Sequence, residues 1–150
     1  MATLTLSIKE DLIISGKQQG RTVTKEVTGV NNVFCRYYVV DNTEDTIIDF
    51  QADRSSGGAV EDGTLKYARF THATGSNTVD LRFQATAANK EYIVRLAAGE
   101  SYLLFFDSID AESQSSGLGG GFGTGSQLDV IKAICSSGDG ASLEVLIAQS

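Results

Sequence analysis

The sequence predicts an all-β chain folded as an antiparallel β-sandwich of jelly-roll type, with nine to ten strands, and three observations point to it. Side chains alternate in character: Val79, Leu81, Phe83 and Ala85 interleave with Asp80, Arg82 and Gln84, and Ala141, Leu143, Val145 and Ile147 with Ser142, Glu144 and Leu146. A period of two places the first set of each on a buried face. Short clusters of turn-forming residues (73–77, 87–90, 99–100, 136–140) separate such runs at regular spacing. No segment repeats apolar residues at helical spacing, and 16 glycines with no proline suit turns and strands.

Taken in order, Ala2, Leu4, Leu6 and Ile8 alternate with Thr3, Thr5, Ser7 and Lys9, a half-buried N-terminal strand that Leu12 to Ile14 extends before a turn at 16–20. Residues 21–27 hold only Val23 and Val27 as apolar anchors, beside Arg21, Lys25 and Glu26. That is the pattern of an edge strand or a long hairpin arm, whose charges discourage stray pairing. The run 33–40 carries a single charge, Arg36, and is expected to be a central strand; 46–50 is a short one. Strands over 64–72, 79–85, 91–96 and 101–106 are joined by short turns, which predicts a four-stranded meander. The last, apolar on both faces, should be covered on both. Strands over 127–135 and 141–147 close the chain.

A chain of 150 residues corresponds to one domain, 1–150, and is long enough to bury a core without disulfide staples. Its net charge of −7 argues against nucleic acid, which needs clustered Lys and Arg. Apolar runs of five or six residues are far too short for a membrane-spanning helix. The first residues lack the basic region and long apolar stretch of a secretory signal, so synthesis and folding in the cytoplasm are expected. Cys35 and Cys135, a hundred residues apart and each on a predicted strand, are read as small core residues.

Residues that could carry chemistry are few. His72 is the single histidine, which excludes a multi-histidine metal site, and no Gly-x-Ser-x-Gly elbow accompanies it; a polar position near a turn accounts for it. Seven acids between Asp41 and Asp62 face one base, Arg54. Calcium would suit such a cluster, but Thr43 and Thr46 stand where the common calcium loop needs an acid or amide and a glycine. A solvated acidic rim is the simpler reading. No catalytic residue, metal ligand or cofactor follows from these patterns.

The segment 113–126 is rich in Gly and Ser and matches neither a dinucleotide fingerprint nor a P-loop. It is expected to be a flexible loop, with Leu118 and Phe122 as apolar beads able to dock on a neighbour. With Leu4 and Leu6 of the N-terminal strand, these residues are the expected assembly contacts.

The succession Asn-Thr-Val-Asp-Leu-Arg-Phe, Tyr-Ile-Val-Arg-Leu-Ala-Ala-Gly-Glu-Ser-Tyr-Leu-Leu, Leu-Asp-Val-Ile-Lys-Ala-Ile-Cys and Ala-Ser-Leu-Glu-Val-Leu-Ile-Ala, over roughly 65–150, resembles small virion structural proteins of tailed phages. The likeness is to those of phages of marine bacteria and cyanobacteria. It is one of strand and turn pattern and excludes the segment 117–125. The resemblance implies a non-enzymatic β-sandwich located in the virion, decorating or cementing the capsid exterior. Its partners would be the major capsid protein or other virion proteins, with homo-oligomerisation and with neither nucleic acid nor membrane involved. A carbohydrate-binding sandwich, free or tail-associated and taking a glycan, is the alternative.

Overall fold

The period-two segments do form strands. The computed structural model describes residues 2–51, 59–61, 64–85, 89–105, 128–138 and 140–150. Among them there is no helix, and thirteen strands follow one another: β1 (Ala2–Lys9), β2 (Ile13–Ile14), β3 (Lys17–Gln18), β4 (Thr22–Val30), β5 (Asn32–Val40), β6 (Asp45–Gln51), β7 (Ala59–Glu61), β8 (Leu65–Thr74), β9 (Val79–Ala85), β10 (Lys90–Leu96), β11 (Ser101–Phe105), β12 (Val130–Cys135) and β13 (Ala141–Gln149). The excess over nine or ten comes from β2, β3 and β7, two or three residues each and too short to leave an alternating signature.

Two sheets pack face to face as a sandwich. One has the order β11-β8-β13-β5 and the other β10-β9-β12-β6-β7. Pairing is antiparallel throughout both, apart from the parallel pair β6 and β7. The inner faces supply Phe70, Val145, Leu143 and Ile147 from the first sheet and Leu81, Phe83, Ile131 and Ile48 from the second, all at most 2% exposed. Burying each such side chain is worth about 1.5–3 kcal/mol, which makes this interface the main source of stability.

Several expectations are corrected. The run 64–106 is not a meander. Only β9 and β10 are joined as hairpin neighbours; β8 and β11 pair with each other in the opposite sheet, so the turn at 73–77 carries the chain from one sheet to the other. Turn chemistry is the same whether the chain folds back beside itself or crosses the core, so sequence could not separate the two cases. The strand over 33–40 is an edge strand, not a central one: β5 has β13 on one side and no partner strand on the other among the described residues. Leu12 to Ile14 continues the hairpin of β1 only after a break at 10–12: β2 is a separate two-residue strand, which turns back through Ser15 and Gly16 (φ 51° and 74°) onto β3. Two consecutive positive φ values suit the tight hairpin turn that matches strand twist.

Two further residues sit elsewhere than expected. His72 is fully buried on the inner face of β8, not in a turn. Cys35 lies exposed on β5, whereas Cys135 is buried as predicted, and both are free thiols.

The hairpin of β1 and β4 forms a separate two-stranded sheet. Its base lies on the outer face of the sheet containing β8 and β13: Val27 and Val30 pack with Tyr67 and Ala148, and Leu4, Leu6, Leu103, Phe105 and Leu146 close around them. Thus 101–105 is covered on both faces, as its composition requires: Leu104 belongs to the main core, and Leu103 and Phe105 lie under the hairpin. Residues 21–27 form part of a long hairpin arm, which was one of their two expected roles.

Candidate assembly surface

The arm begins at a corner. A single residue, Asn31, separates β4 from β5, and its N–H donates to the carbonyl of Gln149 at 2.8 Å. Close to this base, Ala2 pairs with Val30 and Leu4 with Val27, so β4 has one residue more than β1 between the pairs. Gly29, at φ +73°, occupies that bulge. From there the ladder is regular, pairing Leu6 with Lys25 and Ile8 with Val23.

Along this one face of the arm, burial fades with distance from the corner. Val27 is 2% exposed, Leu4 and Leu6 are half-buried, and Val23 and Ile8 are 43% and 47% exposed. The arm leaves both apolar clusters there: Leu4, Leu6 and Val27 belong to one of them, Val23 and Ile8 to neither. It continues through Leu12, Ile13 and Ile14, between 50% and 70% exposed, to the turn at Ser15 and Gly16. Backbone hydrogen bonds from Glu10 N–H to Arg21 O and from Gln19 N–H to Leu12 O hold it as a hairpin to the end.

A second apolar surface lies at the opposite edge. On β5, Val33, Tyr37 and Val39 are 50%, 67% and 80% exposed, with Cys35 between them on the same outward face. Tyr37 donates its hydroxyl to Glu144 at 2.7 Å, and Arg69 pairs with the other carboxylate oxygen. The tyrosine's hydrogen bond, then that of the guanidinium, hold Glu144 below the usual carboxylate value; the carboxylate in turn raises Tyr37. The face is thus apolar with one neutralised acid at its centre.

Of the expected contact residues, Leu4 and Leu6 pack within the chain against the sheet, while Leu118 and Phe122 lie outside the described residues, as does the whole Gly/Ser-rich segment 113–126. The exposed apolar surface on the arm lies farther out, and its sequence signal was the run Leu12-Ile13-Ile14 ending at Ser15-Gly16, where polar residues would be expected at a hairpin tip.

Other candidate chemistry is sparse. In the acidic stretch, Glu44 is 2.8 Å from Lys132 and 3.4 Å from Arg82, and Asp41 accepts a hydrogen bond from the Thr43 N–H at 2.6 Å. Asp53, Arg54 and Asp62 lie outside the described residues, and among those described no group of three metal-binding side chains converges. An open depression of about 220 Å³ is lined by Val39, Thr74, Gly75, Gly140, Ala141 and Ser142. It offers no aromatic ring and no charge, and is smaller than the sites that enclose small ligands. His72 lies just behind it: a Cβ on Gly75 would come within 3.1 Å of the imidazole Nε2. Neither ring nitrogen has a hydrogen-bond partner.

No family model, no curated protein and no solved structure matches the chain.

Proposed function

We propose that this chain is a non-enzymatic virion structural protein of a tailed phage, decorating or cementing the capsid exterior through protein–protein contacts. The observation that carries the reading is the arm. A hairpin that leaves its own sheet and ends in Leu12, Ile13 and Ile14 exposes apolar surface which a monomer gains nothing by displaying. We read the strand order, β11-β8-β13-β5 facing β10-β9-β12-β6-β7, as that of a jelly roll, an architecture used by viral capsid and lectin domains. The resemblance of 65–150 to small phage virion proteins agrees with both. The major capsid protein or a neighbouring virion protein is the partner, and homo-oligomers bind it with the avidity that repeated copies on a lattice provide.

Glycan binding is less well supported, because the depression beside Gly75 and Gly140 lacks a stacking ring. The test is to express the chain with the particle proteins, purify the particles and measure its copy number. Stoichiometric presence on particles supports the proposal; absence from particles together with glycan binding overturns it.

A further inference from the structure

We infer that the β5 edge of the sandwich accepts an extended strand of a neighbouring virion protein, apolar toward both faces and with an Asp or Glu opposite Arg36. The inference rests on the virion reading and adds the chemistry of the partner segment.

Among the described residues the sandwich has four edge strands, and three of them are poor templates for a further strand. β7 has three residues and β11 five, while β10 sets Lys90, Glu91 and Arg95 along its seven. Short length and charge are the usual means of keeping an edge from pairing. β5 has neither protection. All nine of its residues pair with β13 without a register shift, and its other side has no partner strand among the described residues. Neither proline nor lysine interrupts it.

Both flanks of this edge are apolar. Val33, Tyr37 and Val39 line the outer flank, and Phe34 and Tyr38, half-buried, lie at the margin of the main core on the inner one. A strand added here continues the backbone ladder and covers apolar side chains on both sides at once. A molecule resting on the outer face alone would leave the inner flank and the unpaired backbone open.

Charge narrows the partner. Arg69, Arg82 and Arg95 each pair with a carboxylate. Arg36 has no such partner among the described residues. Its guanidinium lies over the Phe34 ring, 4.8 Å from the centroid, which holds it at the edge with its donors open to an incoming acid. Glu144, the nearest acid on the outer flank, is already held by Tyr37 and Arg69. In a chain of net charge −7, this edge therefore presents one uncompensated positive charge. Opposite charges stabilise a cross-strand pair and like charges oppose it. A second β5 is disfavoured on the same ground, because two such edges paired antiparallel over their full length set Arg36 against Arg36.

The experiment measures amide hydrogen exchange in residues 32–40 of the full chain, free and on purified particles. In the free chain every second amide of β5, those turned away from β13, should exchange rapidly. On particles these amides should become protected as well. Arg36→Glu, checked for parental melting, should raise the concentration needed to saturate particles assembled without the chain by roughly tenfold or more, the effect of losing a charge-assisted hydrogen bond. Rapid exchange of the outward amides on decorated particles would overturn the inference and leave the virion reading standing, as would an Arg36→Glu variant that saturates like the parent. Protection of every amide of 32–40 in the free chain would show the edge already filled, by the chain's own residues or by a second copy, and would overturn it too. A parent absent from particles removes the virion reading and this inference with it.

Discussion

Tyr92 lies flat against Phe83, with ring centroids 4.4 Å apart and planes within 1° of parallel, directly across the β9–β10 ladder. Phe83 also meets Phe70 edge-on at 6.0 Å and Tyr102 at 5.5 Å, so one side chain joins both sheets of the sandwich. Burial, and next the hydroxyl of Tyr102, hold the Tyr92 phenol far above its usual ionisation range. This aromatic group is central to the core.

Phe83→Ala should therefore cost about 3–5 kcal/mol in chemical denaturation, the range for deleting a buried aromatic side chain. Asp80 lies on the opposite face of the same strand, where its carboxylate accepts from Arg95 Nε at 2.7 Å and from a terminal nitrogen at 2.8 Å. Because Arg95 is largely exposed, Asp80→Ala should cost less than about 1 kcal/mol. Equal losses at the two positions would show that the sheet register is wrong.

Acid should weaken the outer face of the β5-containing sheet through Glu144. Its hydrogen bonds from Tyr37 and Arg69 lower its folded pKa below the ordinary 4.5, so the group stabilises the fold above that value and the contribution is lost as pH falls through the folded one. Asp80, lowered by Arg95, acts in the same direction below its ordinary 3.8. Melting temperatures of the parent and of Glu144→Gln should differ at neutral pH and converge as the pH drops below 4.5. A difference that is constant across that range would contradict the assignment.

His72 presents the opposite case, a polar ring buried with no partner for either nitrogen. Replacing an unsatisfied buried polar group by an apolar one can be nearly neutral or stabilising. His72→Leu should thus change stability by no more than about 1.5 kcal/mol, the usual limit for swaps of similar volume. A large loss would reveal a hydrogen-bonding role for the ring.

The parts of the fold that were legible in sequence were those set by side-chain period. Residues 79–85 and 141–147 alternate so cleanly that their buried faces could be assigned, and Phe83 and Leu143 are both fully buried. Pairing was less legible, because residues 73–77 have hairpin chemistry yet cross between sheets. Strand 33–40 was misplaced for a related reason: apolar residues on both faces usually mean cover on both, and here Val33, Tyr37 and Val39 face solvent at an edge. The same exposure is what marks the candidate surface, so the feature that misled the fold reading is the one that points to assembly. On the arm, alternation drew attention to Leu4 and Leu6, which the chain's own sheet covers, and away from Leu12 to Ile14 beyond it.

The central claim is that the projecting part of the arm attaches this protein to its assembly, and one measurement bears on it most directly. Residues 8–23 can be replaced by Asn-Gly, closing the hairpin between Ser7 and Thr24, which face each other on β1 and β4. The shortened chain keeps Leu4, Leu6, Val27 and Val30 over the sheet. Its copy number on purified particles is then compared with that of the parent, with circular dichroism and thermal melting as checks on folding. The account predicts a folded protein with parental melting behaviour that is lost from particles. A shortened chain that decorates particles as fully as the parent would contradict it.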